Sequence, residues 1–365
     1  MRLKTATVCT VLLTTFVAAA NAQDAPKWLL TSQRLRRLQR DRERQTVRWS
    51  NFEARVQSVP DSPERGFELA LYYAVTQDQS RGREAIAWAL SHQCDSSQTP
   101  FVVEWAGDLM NEGERRKLAG SCPPADQRSA LSSLQDGGFR DARVLYAACE
   151  YLMLVRAAQK TDLRRSAPQF FSQLPVEFLL SLKPAQIEHP DWMTHIAALA
   201  LVALDPNLEG SQYLQGWAIE DRQMIRDGPG VAYEFLWADP YLPGVGYQNL
   251  DPWSYSASGG LFARTKWDAD ACWIAISAHG IEEENCPAGW RDKPARFGSM
   301  ALIPMTSRCL ELPHMDAHEA VVLWRLKPNE SVSYRDGKQE RSVQADAAGL
   351  IRLSAGSESK VCVAR

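Results

Sequence analysis

The stretch Gly260-Leu261-Phe262-Ala263-Arg264, followed after a polar break by Ala271-Cys272-Trp273-Ile274-Ala275-Ile276, marks where the chain changes period. Upstream of it, apolar residues return every three or four positions. From about Ser258 they alternate or gather in short runs, as strands do. Met300–Met305, Ala320–Leu326, Ala348–Leu353 and Lys360–Val363 continue the series. Ser331–Tyr334 and Gln339–Val343 flank Asp336-Gly337, a pair suited to a tight primed turn, so they read as a hairpin. Short strands at regular spacing predict an antiparallel sheet or sandwich over residues 258–365.

Working back from that point, the chain from Trp28 to about Trp237 is helical. Ser62-Pro63-Glu64 predicts a helix start, with a capping hydroxyl, a first-turn proline and an acid near the positive end of the dipole. Phe67, Ala70, Leu71 and Ala74 then share one face, and Thr76-Gln77-Asp78-Gln79 breaks the run before Ala85–Leu90 resumes it. Further helices are predicted at about 139–159, 175–183, 192–204 and 210–226. Short turns between such helices favour stacked antiparallel hairpins. The fold class is therefore α+β: a helical domain over 23–237, a join over 238–257 and a β domain over 258–365. The region Asp227–Trp253 is rich in glycine, proline and aromatics, a composition that suits a site-lining segment.

Residues 1–22 read as a secretory signal, with Arg2 and Lys4 at the start, an apolar Ala6–Ala20 and the small-x-small string Ala20-Asn21-Ala22. The apolar stretch falls short of the ~20 residues a membrane span needs, so no span is expected once the signal is removed. Localisation is then periplasmic or extracellular. Cleavage takes 22 of 365 residues and two of 41 basic ones, leaving 39 basic against 44 acidic and a net charge of −5. That sign disfavours nucleic acid as a partner.

Export gives the cysteines meaning, because disulfides persist in oxidising compartments. Cys94 and Cys122 each close a helical pattern and can bridge. Cys272, Cys286, Cys309 and Cys362 can form two bridges in three ways, among which the sequence does not choose. Cys149, on an apolar face with Leu145, Leu152 and Val155, reads as a buried free thiol. The run of Arg34, Arg36, Arg37, Arg40, Arg42, Arg44 and Arg48 reads as a solvated helix laced by Asp41 and Glu43, and its chemistry also suits an acidic glycan. His314 and His318 have the spacing of two zinc ligands on a helix. They lie in a polar loop without a third ligand, however, so neither a metal nor another cofactor is expected. His195 reads as a core histidine, and most of the twelve tryptophans as core filling.

Leu69–Asp78 with Ala85-Ile86-Ala87-Trp88, then Glu104–Met110 with Glu112–Leu118, resembles successive hairpins of the heparinase II/III-like and alginate-lyase-like toroids. Gly260–Ala271 is similar to the strand pair that opens their β-sandwich. The resemblance spans about residues 60–300. It implies an incomplete (α/α) toroid followed by an antiparallel β-sandwich-like domain, and β-elimination on a uronate-containing polysaccharide. Such a reaction needs a base, an acid for the leaving oxygen, and donors that neutralise the carboxylate. On this basis Tyr233 or Tyr247 is expected as base and acid, with Arg264 and Asn249 on the carboxylate. His279 is the one histidine standing where these lyases carry a histidine-rich string. Glu234, Tyr241, Trp237 and Trp253 are expected to bind substrate. A non-catalytic relative that binds an acidic polysaccharide or cell-envelope glycan is the alternative, and a metal-dependent hydrolase built on His314 and His318 is a third reading.

Overall fold

The computed structural model describes residues 29–92, 95, 97–119, 127–256, 260–312, 319–336, 339–353 and 360–363. The signal segment, Cys94, Cys122, Gly337, His314 and His318 lie outside the described residues. Among the described residues thirteen α-helices precede twelve strands, so the α+β order expected from the period is what the chain adopts. No helix there is long and apolar enough to cross a membrane.

The helices are α1 Ser32–Glu43, α2 Val47–Ser58, α3 Arg65–Thr76, α4 Gln79–Ser91, α5 Thr99–Trp105 and α6 Glu112–Ala119. They continue as α7 Gln127–Gln135, α8 Ala142–Gln159, α9 Pro168–Ser181, α10 Pro184–Glu188, α11 Trp192–Leu204, α12 Glu209–Ala218 and α13 Val231–Trp237. The chain forms two compact units. The first comprises Met1–Ala125, Leu154–Thr161 and Asp227–Leu236; the second comprises Asp126–Met153, Asp162–Arg226 and Trp237–Arg365.

In the first unit, α3 and α4 form the hairpin that the Thr76–Gln79 break predicts. Gln77 takes the left-handed conformation that ends α3, and the Asp78 carboxylate accepts from the Ser80 and Arg81 N–H groups to start α4. A Cβ on Gly66 would lie 2.9 Å from one Trp88 ring carbon and closer to two others, so this residue lets the indole seat on α3. The helix starts at Arg65 rather than at Ser62. The Ser62 hydroxyl instead donates to the fully buried Glu68 carboxylate (2.8 Å), which also receives Arg55 Nε (3.0 Å). A buried carboxylate needs such donors more than the helix needs its cap. The arginine run divides by burial. Arg37 donates to the Leu236 carbonyl (2.6 Å) and Arg48 to buried Glu234 (2.7 Å), while Asp41 lies on the buried face. Arg36, Arg40, Arg42 and Arg44 face solvent.

In the second unit, β1 Trp253–Tyr255, β2 Leu261–Arg264, β3 Trp273–Ser277 and β4 Gly280–Glu284 form one antiparallel sheet in sequence order. A second sheet is built from β5 Ala295–Phe297 and β6 Met300–Pro304, then β8 Ala320–Trp324 and β11 Ile351–Leu353. The third holds β7 Cys309–Glu311, β9 Ser331–Asp336, β10 Gln339–Gln344 and β12 Lys360–Val363. Strand pairing is antiparallel except between β6 and β8, which run parallel. The second sheet is covered on both faces. Met300, Leu302, Val322 and Trp324 share a core with Leu261, Ile274 and Ile276, while Ala301, Ile303, Val321 and Leu323 pack with Val332 and Val361. Both-face burial explains why β6 and β8 are uninterrupted apolar runs.

Two disulfides, Cys272–Cys286 and Cys309–Cys362, close within this strand region, while Cys149 is a buried free thiol. Beside it on α8, burial raises the Glu150 carboxyl from its ordinary 4.5 to about 7, against the opposing hydrogen bond from the Tyr146 hydroxyl. The folded chain therefore holds a proton that the unfolded chain releases between these values. Stability should fall as pH rises from about 4.5 to about 7, by on the order of 3 kcal/mol. Urea titrations across that range check this: Glu150→Gln should flatten the slope.

Candidate functional site

Alternation along the first sheet builds the site. Leu261, Ala263, Ile274 and Ile276 point into the strand core, so Phe262, Arg264 and Trp273 point to the other face, where α9 packs. There the Trp273 indole N–H donates to the Leu180 carbonyl (2.9 Å) and Arg264 Nη2 to the Leu182 carbonyl (3.1 Å), capping the C-terminal end of α9. Ser256, just beyond β1, donates to Glu177 of α9 (2.8 Å), whose side chain is wholly buried.

The turn Gly137-Gly138-Phe139-Arg140 approaches the same face. Phe139 meets Phe262 edge-on at 5.8 Å. The Arg140 guanidinium lies 5.7 Å above Phe262 and 6.0 Å from Trp273, and its Nη1 donates to Glu282 of β4 (2.6 Å). Lys183 adds a second cation over Trp273 at 5.9 Å and 3.9 Å from Glu282. The hydrogen bond from Arg140 holds the Glu282 carboxyl below its ordinary range. These elements enclose a cavity of about 540 Å³ lined by Phe139, Arg140, Ser256, Phe262, Ser277 and His279, among others. A second hollow of about 450 Å³, lined by Arg140, Ser181, Lys183 and Gln186, shares Arg140 with the first. An aromatic floor with two guanidinium or ammonium groups at its edge is suited to a sugar ring carrying an anionic substituent.

The predicted site residues separate into several places. His279 is exposed in the β3–β4 turn and lines the cavity. Arg264 pairs with Trp273 while Leu261 pairs with Ile276, so Arg264 and His279 stand at opposite ends of the hairpin, about 13 Å apart along the strand. Tyr247 does accompany Arg264. Its ring stands edge-on to Trp267 (5.3 Å), whose face carries the Arg264 guanidinium (4.6 Å). Its hydroxyl accepts from Arg222 Nη2 (3.1 Å), and burial together with Glu220 raises the phenol above its ordinary value. Asn249 is exposed two residues further on. Tyr241 is exposed, and Trp237 is buried with its indole N–H directed to the Tyr146 hydroxyl (3.4 Å). Trp253 donates to Asp251 and Ser299 beneath Arg352. Tyr233 and Glu234 belong to the first unit, where Tyr233 stacks on Phe67 (4.3 Å) and Glu234 is the buried partner of Arg48.

Phe262 and Arg140 were not singled out by sequence. The available signal was Gly137-Gly138, which marks a turn ahead of an aromatic and a cation. Among the described residues no group of three or more His, Cys, Asp and Glu could hold a metal. No protein-family model matches the chain, and no curated protein matches it.

Proposed function

We propose that this is an exported protein of toroid-plus-sandwich type that binds an acidic glycan in the cavity beside α9. The observation that carries this reading is Arg140, whose guanidinium lies over Phe262 within a cavity of about 540 Å³ that also reaches His279. A uronate ring seated on the Phe139–Phe262 pair would place its carboxylate toward Arg140 and Lys183. Two disulfides in the strand region are consistent with export.

Calorimetric titration with alginate, glycosaminoglycan and pectic oligomers tests the reading. Arg140→Ala should weaken binding about tenfold or more, since a hydrogen bond to a charged group is worth ~1.5–3 kcal/mol, and Phe262→Ala should weaken it severalfold through the lost ring face, worth ~0.5–1.5 kcal/mol. Binding should also weaken with salt. Wild-type protein that ignores every acidic oligomer would sink the proposal.

A second reading, β-elimination, is favoured by one feature: His279 and Arg140 line the same cavity. In it His279 removes the proton alpha to the carboxylate, Arg140 neutralises the charge that develops, the glycosidic carbon–oxygen bond beta to the carboxylate breaks as the double bond forms, and the leaving oxygen takes a proton from solvent water. Elimination leaves a carbon–carbon double bond, so ultraviolet absorbance rises with turnover, and His279→Ala should abolish the rise. A flat trace for wild-type protein that binds the same polymer leaves the binding role alone.

A further inference from the structure

The third sheet carries an open hollow of about 810 Å³ that shares no lining residue with the Arg140 cavity. Strand order and register build it. Ser342 of β10 pairs with Ser333 of β9, Ser333 with Cys362 of β12, and Cys362 with Cys309 of β7. These four residues form one row across the sheet. They lie on the face opposite Val332 and Val361, which point into the strand core. All four line the hollow, and the row ends at the Cys309–Cys362 disulfide. Arg308, Glu340 and Arg341 stand exposed around it.

The two disulfides of this region differ in access. Cys272 is buried in the core that Trp290 and Trp324 share, and Cys286 packs half-buried against it. Cys309 is exposed and Cys362 half-buried, both facing the hollow. Exchange requires a thiolate to reach a disulfide sulfur, so access selects the Cys309–Cys362 bond. Two guanidinium groups against one carboxylate make the rim of the hollow positive. That sign draws in a thiolate, and guanidinium pairs in a fork with any carboxylate the thiol compound carries.

We propose that this hollow is a thiol–disulfide exchange site for a small thiol compound bearing carboxylates. Its thiolate attacks Cys309 Sγ, the exposed sulfur. A bond forms between those two sulfurs, the Cys309–Cys362 bond breaks, and the electron pair leaves on Cys362. A second thiolate attacks the sulfur of the attached compound and releases Cys309. Two small thiols are thereby oxidised to their disulfide, the protein disulfide is reduced to two thiols, and the protons the small thiols lose end on the cysteines. With the bond open, the edge strand β7 is held to β12 only by pairing over three residues. The site stands or falls without the glycan reading.

Glutathione is the probe, and its diethyl ester, which keeps the thiol and masks both carboxylates, is the control. Folded wild-type protein is incubated with each at neutral pH, quenched by alkylation and mapped by mass spectrometry. Each rate is scaled to that of the same thiol on hydroxyethyl disulfide. Glutathione should appear first on Cys309, and Cys309 and Cys362 should then become alkylated while Cys272–Cys286 stays closed. The scaled rate should be about threefold or more higher for glutathione than for the ester, the scale of exposed charge pairs. Replacing both Arg308→Gln and Arg341→Gln should bring the two rates together. Loss of both disulfides at one rate would mean that exchange waits on unfolding, and it overturns the proposal. So does a Cys309–Cys362 bond that glutathione leaves intact, or equal scaled rates for the two thiols. These three outcomes are read on the wild-type protein alone.

Discussion

Full reduction of the two strand-region disulfides should unfold that region at temperatures where the oxidised protein is native. Cys272 immediately precedes β3 and Cys286 follows β4 by two residues, so their bond closes the open end of that hairpin across 14 residues. Cys309 and Cys362 are directly opposed across β7 and β12 and lie 53 residues apart in the chain. On the chain-entropy model the shorter loop contributes about 3 kcal/mol and the longer about 4 kcal/mol. Together these rival the whole stability of an ordinary domain, roughly 5–15 kcal/mol. The stacked Trp290–Trp324 pair, 5.3 Å between ring centres, lies in the affected core and reports through near-ultraviolet dichroism. Loss of that signal on reduction, with alkylation of all four cysteines mapped by mass spectrometry, is the expected result. An unchanged melting curve after verified reduction would show that the three sheets carry the region without their staples.

Why the sequence could not choose among the three pairings is visible in the strand register. Cys309 and Cys362 face each other only because β12 inserts between β9 and β7, a long-range order that local periodicity does not encode. The same holds for the parallel β6–β8 pair. Each strand is legible as a doubly buried apolar run, but what they pair with depends on β7 leaving for the third sheet. Within helices the reading failed where a residue had two possible roles. A helix is expected to begin at about 175, yet Pro175 sits inside α9, which begins at Pro168. Local signals that have one meaning survived. α11 runs over 192–204 as its period predicts, and Trp49, Trp105, Trp217, Trp273 and Trp324 are completely buried. The site was the least legible part. Arg140 and Glu282 meet across 142 residues, and Arg264 is distinguished by what surrounds it rather than by any motif.

Gly216→Ala should be among the most damaging single substitutions in the second unit, although alanine is the better helix former by ~1 kcal/mol. Gly216 lies in α12, and a Cβ there would come 2.8 Å from the Val245 carbonyl carbon and closer still to its oxygen. Gly244 repeats the constraint from the other side, its own Cβ position lying 3.1 Å from the Gly216 backbone. Both obstacles are main chain, so no rotamer change relieves them. The segment is also pinned, because the Val245 N–H donates to the Gln212 carbonyl of the same helix (3.0 Å). Backing away breaks that bond, and the overpacking itself costs ~1–3 kcal/mol. A net loss of about 2–4 kcal/mol in denaturant unfolding follows. Gly107→Ala, with nothing within 4 Å of its Cβ position, is the control and should stay within about 0.5 kcal/mol of wild type. The same contact lies two residues from Tyr247, whose ring braces Trp267 beneath Arg264, so displacing Val245 disturbs that buried stack as well and adds to the loss.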